Sequence, residues 1–161
     1  MVVSQTTLYP ETGDVLFRVE ESTLPGEREI RFFIPPWVER DKIVLELNGK
    51  KKSVAGNQGF VGIRHSWKKG DEIHLNFPIT LRTQPIINTH SLPGHYTYRH
   101  GTLILGTHIS QATNTRLGLH MTKPARYRAE GPDGVDLYPL TDIYKLTGIA
   151  ALHDQKKILF R

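Results

Sequence analysis

The side chains that could carry out hydrolytic chemistry in this sequence are carboxylates, and none of them forms a recognisable pair. Hydrolysis of a glycosidic bond needs two carboxyl groups at a set separation, which sequence does not report across strands. Glu27 and Glu29 lie two residues apart beside a turn, where a solvated pair is the favoured interpretation. Asp71 follows Gly70 in a polar reversal, where an Asp side chain typically caps the turn backbone. The residues alone therefore predict no catalytic site.

The sequence contains no motif for thiol, metal or phosphate chemistry. The sequence contains no cysteine, which excludes a thiol nucleophile, a thiolate metal site and a disulfide. His90, His95 and His100 are spaced five residues apart, which matches no tight ligand spacing and is typical of surface or hydrogen-bonded histidines. There is no Gly-rich phosphate loop and no Gly-x-Ser-x-Gly segment. We expect neither a metal site nor another cofactor.

Aromatic residues are the remaining candidates for ligand binding. Trp37 follows two prolines, Trp67 closes a strand-like segment, and Tyr96 and Tyr98 share one strand face. Exposed rings can stack on sugar faces, whereas most large aromatic residues of a β-sandwich fill the core or the sheet edge. Core packing is favoured for Trp67, and both interpretations stay open for Trp37. Carbohydrate binding by these four residues is one hypothesis.

The net charge of +5 does not indicate a nucleic-acid partner. The only tight basic run is Lys50-Lys51-Lys52, which follows a turn signal, and lysines at a hairpin tip are more often solvated than bound to phosphate. Nucleic-acid modules also interleave aromatic and basic residues on one face, and no such stripe is visible. No apolar run approaches the ~20 residues of a membrane span, and residues 1–4 lack the regions of a signal peptide. We expect no nucleic-acid partner and no membrane partner, and the location of the protein stays open.

The chain is organised around residues 29–80, whose apolar residues recur at every second position. Successive strand side chains point to opposite faces, so this period predicts four half-buried antiparallel strands over a shared core. Pro35-Pro36, Asn48-Gly49 and residues 68–71 are the turn signals between the strands. The alternating residues are Ile30, Phe32 and Ile34, then Ile43, Leu45 and Leu47, then Val61 and Ile63, then Ile73, Leu75 and Phe77.

Further strands are predicted on both sides of this stretch. Leu117, Leu119 and Met121 could form one short strand or line a loop, and residues 102–106 are consecutively apolar, as in the middle of a sheet. Many short strands with frequent turns predict an all-β fold, an antiparallel, jelly-roll-like β-sandwich with few or no helices. A length of 161 residues suits a single domain over residues 1–161, with residues 107–161 as a less clearly patterned extension of the same sandwich. The additional strands are predicted at residues 15–20, 96–100, 102–106 and 157–160, and residues 81–86 are predicted to continue extended.

Four motifs occur in a characteristic order. Residues 34–38 read IPPWV, residues 44–49 VLELNG, residues 59–71 GFVGIRHSWKKGD and residues 73–78 IHLNFP. This order resembles the β-sandwich region of the six-hairpin glycosidases that include the β-L-arabinofuranosidases of glycoside hydrolase family 127. The opening residues 7–15 also fit, as do residues 99–105, where Thr102 replaces a proline of the family. The resemblance covers residues 6–106 well and residues 136–160 loosely.

The resemblance implies a part of an enzyme that does not itself react with substrate. In that family the reaction belongs to an (α/α)6 barrel that precedes the sandwich, with a cysteine nucleophile in a cysteine-rich zinc site and a glutamate acid/base. This chain has no cysteine, and 161 strand-rich residues cannot form twelve helices, so no catalytic residue carries over.

Three functions therefore stay open. The resemblance implies an accessory domain excised from a larger bacterial glycoside hydrolase, with the missing barrel as its partner. The alternative is a carbohydrate-binding module with an oligosaccharide partner, and the third is a stand-alone β-sandwich hydrolase.

Overall fold

The structure is a computed structural model and describes residues 1–54, 59–85, 96–107, 118–130 and 134–142. These residues form thirteen β-strands and one 3-10 turn at Arg40–Lys42, which confirms the predicted all-β sandwich class. Contacts divide the chain into two compact units, Met1–Ile79 and Thr80–Arg161. None of the helical structure in the described ranges is long and apolar enough to cross a membrane.

The first unit contains seven strands in two antiparallel sheets. The larger sheet has the order β1-β2-β7-β4-β5, and the smaller one is the pair β3-β6. The strands are β1 (Val2–Thr7), β2 (Asp14–Glu21), β3 (Arg28–Phe33), β4 (Val44–Leu47), β5 (Lys50–Lys51), β6 (Phe60–His65) and β7 (Glu72–Asn76).

The core of the first unit lies between these two sheets. All of the alternating apolar residues except the half-buried Ile30 are buried, as the period of two predicts. Phe17 on β2 and Phe32 on β3 join the sheets, with ring centroids 4.7 Å apart. Asn48 and Gly49 both adopt positive φ, 51° and 72°, which is the backbone that a tight hairpin turn requires.

Two features of the first unit differ from the sequence interpretation. The four strands predicted over residues 29–80 form two sheets, because β4 and β7 join β2 while β3 and β6 pair only with each other. Strand β1 begins at Val2, where the pattern indicated only a short extended segment from Thr6. Every residue of β1 except the half-buried Thr7 is exposed, so its sequence shows no alternation.

The second unit contains one six-stranded antiparallel sheet with the order β11-β12-β13-β10-β9-β8. Strand β10 lies inside the sheet, as its apolar run predicts, and residues 119–123 form a strand. The predicted strand at residues 157–160 lies outside the described residues. The strands are β8 (Leu81–Pro85), β9 (Tyr96–His100), β10 (Leu103–Gly106), β11 (Leu119–Lys123), β12 (Arg126–Ala129) and β13 (Asp136–Pro139).

A buried polar pair lies in the second unit. His100 Nδ1 and the Tyr127 hydroxyl share a hydrogen bond of 2.7 Å, and burial raises the pKa of Tyr127. His100 is therefore a hydrogen-bonded histidine of the protein interior.

Candidate functional site

Trp67 lies in the core of the first unit. Its side chain is 4% exposed, and its indole N–H donates a 2.8 Å hydrogen bond to the backbone oxygen of Arg28. The ring of His65 contacts it edge-on, with centroids 5.1 Å apart. Trp67 therefore packs in the core, the interpretation that the sequence favoured. Its hydrogen bond joins the segment after β6 to the beginning of β3.

The other predicted sugar-stacking residues also lie within structural packing where they are described. Trp37 is half-buried and contacts Phe77 edge-on, with centroids 6.3 Å apart. Tyr98 is 9% exposed and packs in the core of the second unit, and the side chain of Tyr96 lies outside the described residues. Sugar stacking by Trp37, Trp67, Tyr96 and Tyr98 stays a prediction, and Trp67 and Tyr98 present little ring surface to solvent.

The turn residues that carry the resemblance form one hydrogen-bond network. Asp71 accepts hydrogen bonds from the Asn48 amide at 2.9 Å and from the Lys68 backbone N–H at 2.8 Å. Asn48 in turn accepts one from the backbone N–H of Glu72 at 2.8 Å. Partial burial favours a higher pKa for Asp71, but Asn48, Lys68 and the nearby His65 outweigh it and hold the pKa below its ordinary value.

Polar side chains of β2, β7 and β4 converge on the outer face of the five-stranded sheet. His74 Nε2 lies 3.0 Å from Asp14 Oδ1, and His74 Nδ1 lies 3.8 Å from a Glu46 carboxylate oxygen. Asn76 donates a 2.7 Å hydrogen bond to Asp14. The hydrogen bond from the Asn76 amide lowers the pKa of Asp14, and the nearby His74 lowers it further. Partial desolvation raises this pKa by less, so it stays below its ordinary value.

This polar convergence borders a shallow depression of about 330 Å³ lined by Leu16, Glu46, Gly49, Glu72 and His74. Sequence reasoning missed it because its members come from separate strands. Asp14 and Glu46 both lie beside the imidazole of His74, one at each ring nitrogen. Among the described residues, no group of His, Asp and Glu side chains is arranged to hold a metal ion.

The outer face of the β3-β6 pair carries two exposed aromatic rings. Phe33 and Phe60 are cross-strand partners, are 59% and 40% exposed, and have ring centroids 5.5 Å apart at 68°. Sequence reasoning did not single them out. The signal was the consecutive pair Phe32-Phe33, since neighbouring strand residues point to opposite faces and only one of the two rings can enter the core.

An ion pair lies next to these rings on the same face. Arg31 Nε donates a 2.9 Å hydrogen bond to Glu29 Oε2. Arg31 pairs across the strands with Gly62, and Glu29 pairs with Arg64. A Cβ on Gly62 would lie 2.6 Å from Glu29 Oε1, so the glycine leaves the space that the Glu29 carboxylate occupies.

Comparison with known proteins finds a family similarity over the first unit. Residues 1–79 match the family model of the middle domain of glycoside hydrolase family 127 (GH127) β-L-arabinofuranosidases. The predicted resemblance is confirmed. The GH127 match spans the same residues as the first compact unit. No curated protein sequence matches this chain.

Three solved structures share the fold. They are a glycoside hydrolase (17% identity, TM-score 0.62), a GH127 β-L-arabinofuranosidase from Geobacillus stearothermophilus T6 (18%, 0.62) and a GH127 β-arabinofuranosidase (16%, 0.56). Each alignment covers 85% of this chain. The chain spans only 29%, 27% and 28% of the respective structures.

Proposed function

We propose that this chain is a non-catalytic accessory region of a GH127-like glycoside hydrolase, and that it packs against a helical catalytic barrel of the same enzyme. The match of residues 1–79 to the GH127 middle domain carries this proposal. The solved structures with the same fold are about three times as long as this chain. Their length leaves room for a separate catalytic region.

The roles of the motif residues support an accessory function. Asn48 and Asp71 join two turns, and Trp67 fastens the segment after β6 to β3. These residues therefore maintain a framework, and the resemblance itself rests on that framework. On the outer face of the five-stranded sheet, the carboxylates of Asp14 and Glu46 pair with His74.

The exposed strand β1 supports packing against another region. It lies at the edge of the five-stranded sheet, and its sequence VVSQTT contains neither a charge nor a proline. Its one irregularity is a register shift at its first residue, between Val2 and Val3, so the strand from Val3 to Thr7 is regular. Edge strands of free proteins are usually blunted by charges, prolines, bulges or a covering element. We propose that the helical region of the parent enzyme covers β1 and the exposed side chains of Val2 and Val3.

Two measurements test this function. The chain alone should release no nitrophenol from nitrophenyl arabinofuranosides above the uncatalysed rate. Hydrogen exchange of the β1 amides that face away from β2 should be fast in the monomeric chain and at least tenfold slower when the helical region of the parent enzyme is added. Hydrolysis by the purified chain would contradict the non-catalytic role. Unchanged exchange in a complex that forms would contradict the proposed surface.

A further inference from the structure

We propose that the outer face of the β3-β6 pair is a binding site for a neutral sugar ring. This glycan-binding face comprises Glu29, Arg31, Phe33, Phe60 and Arg64. The site lies outside the five-stranded sheet whose edge we assign to packing, so it goes beyond the accessory role. The choice of a sugar as ligand rests on the GH127 match, because related enzymes are named for their action on arabinofuranosides.

The aromatic part of the face is exposed and held in place. Phe33 follows the buried Phe32, and Phe60 precedes the buried Val61, so both rings are attached to backbone anchored by the core. Gly59 adopts φ +80°, and the position of its missing Cβ lies 3.5 Å from the Phe33 ring. The two rings therefore form a fixed apolar step on the sheet surface, which can take the apolar face of a sugar ring.

The size of this step favours a small ligand over a protein. A phenylalanine or other aromatic side chain buries ~150–250 Å² when fully covered, so two half-exposed rings offer about 200 Å² of apolar surface. A stable protein interface needs about 800 Å² from each partner. One or two sugar rings match the smaller area, and exposed apolar patches rimmed by polar residues often mark ligand sites.

Polar groups lie beside the apolar step on the same face. Arg31 is two residues before Phe33 on the same face, about 7 Å along the strand. Its guanidinium offers hydrogen-bond donors and is largely exposed. Oxygen Oε2 of Glu29 accepts from Arg31, and Oε1 has no hydrogen-bond partner in the described part of the chain. The face thus offers donors and an acceptor beside an apolar step, which is the usual composition of a small-molecule site.

The charged groups beside the rings supply both donors and an acceptor. Arg31 and Glu29 form an ion pair with Arg31 Nη2 2.9 Å from Glu29 Oε2, and Arg64 is the cross-strand partner of Glu29. The choice of a neutral sugar follows the arabinofuranosides for which the related enzymes are named. Neutral sugars such as arabinose, galactose or xylose have vicinal hydroxyls that can donate to a carboxylate and accept from a guanidinium.

A titration of the full chain with neutral arabinose-, galactose- and xylose-containing oligosaccharides tests the site. We expect saturable binding, observed by calorimetry and by NMR shifts confined to β3 and β6. Phe33→Ala and Phe60→Ala should each weaken it at least tenfold, whereas Phe33→Trp should preserve it. Leu24→Ala, which removes an exposed apolar side chain in the β2-β3 connection, is the matched control and should leave affinity unchanged.

Three outcomes would overturn the proposal. The first is no saturable binding of any of these sugars by the folded chain. The second is binding that persists unchanged in both alanine variants. The third is concentration-dependent self-association that Phe33→Ala abolishes, which would make the rings a protein-docking surface. None of these readouts involves β1 or hydrolysis, so failure here is distinguishable from failure of the accessory function.

Discussion

At the scale of single residues, Asp71 is the junction between the two turns of the GH127-like motif. Its carboxylate receives one hydrogen bond from within its own turn, from Lys68, and one from the distant Asn48. The Asp71 side chain is 12% exposed, whereas both donors, Asn48 and Lys68, belong to exposed residues. Each hydrogen bond therefore contributes about 0.5–1.5 kcal/mol of stability.

We predict that Asp71 contributes pH-dependent stability. Because its pKa is lowered in the folded protein, its contribution is fully present above the unfolded value of about 3.9 and is lost as pH falls through the folded value. Asp71→Asn should therefore be less stable at pH 6 and lose less stability between pH 6 and pH 3 than the unchanged chain. Urea unfolding across this range measures the difference.

The control for this prediction is Asp41→Asn. Asp41 lies in the exposed 3-10 turn and makes no side-chain hydrogen bond within the described residues. Its substitution should leave the pH dependence unchanged. Equal pH dependence in Asp71→Asn and in the unchanged chain would contradict the role of the Asp71 carboxylate.

Gly13 is required by close contact between neighbouring strands. A Cβ at this position would lie 1.7 Å from the backbone oxygen of Phe77, which cannot move without shifting the strand end. We predict that Gly13→Ala lowers the free energy of unfolding by about 3 kcal/mol. Gly118→Ala is the control, since its nearest neighbour would be Glu130 Oε2 at 3.7 Å. Similar thermal midpoints for the two variants would show that this contact is not tight.

At the scale of elements, one face of β3 packs in the core and the other face carries the proposed glycan-binding site. Phe32 is buried in the core, whereas Phe33 is exposed on the outer face. We predict that Phe32→Ala lowers the free energy of unfolding by about 3–5 kcal/mol, and that Phe33→Ala changes it by less than about 0.5 kcal/mol. Denaturant unfolding followed by tryptophan fluorescence measures both. A large loss in Phe33→Ala would mean that its ring supports the fold.

Sequence periodicity predicted those strands that have one buried face. The alternation of Leu45 with Glu46 and of Ile73 with His74 follows directly from burial on one side of a sheet. Strand β1 was not predicted because both of its faces are exposed to solvent, so its sequence does not alternate. Strand β12 was not predicted because it is only four residues long and two of them, Arg126 and Arg128, are charged. The partners within each sheet were not predictable, since alternation records a face and carries no information about neighbours.

The candidate sites show the same limit. Asp14, Glu46 and His74 converge only because β7 lies between β2 and β4, an order that residue spacing does not contain. The Trp67 interpretation succeeded because a large aromatic residue in a sandwich is usually covered. Phe33 and Phe60 lie in strands that sequence did predict, and alternation turns both rings outward, but their contact depends on the β3-β6 pairing.

At the scale of the whole molecule, the first unit contains its own core and both tryptophans. Trp37 and Trp67 lie within residues 1–79, which coincide with the compact unit and with the GH127 match. We predict that residues 1–79 expressed alone fold cooperatively, with a tryptophan-monitored thermal midpoint within about 5 °C of the full chain, a shift equivalent to about 1 kcal/mol. The tryptophan signal of the full chain is the reference. A fragment with no cooperative transition would show that the first unit needs residues 80–161 to fold.

The two edges of the five-stranded sheet differ in a way that limits association of the chain with itself. One edge is β1, six uncharged residues long, and the other is β5, formed by Lys50 and Lys51 alone. In the absence of a covering region, β1 can pair antiparallel with β1 of a second copy, joining five strands from each into one continuous sheet. Growth then stops, because both outer edges of the pair are short and positively charged. The expected product is a closed two-fold dimer, whereas a sheet with two bare edges would grow into a fibre.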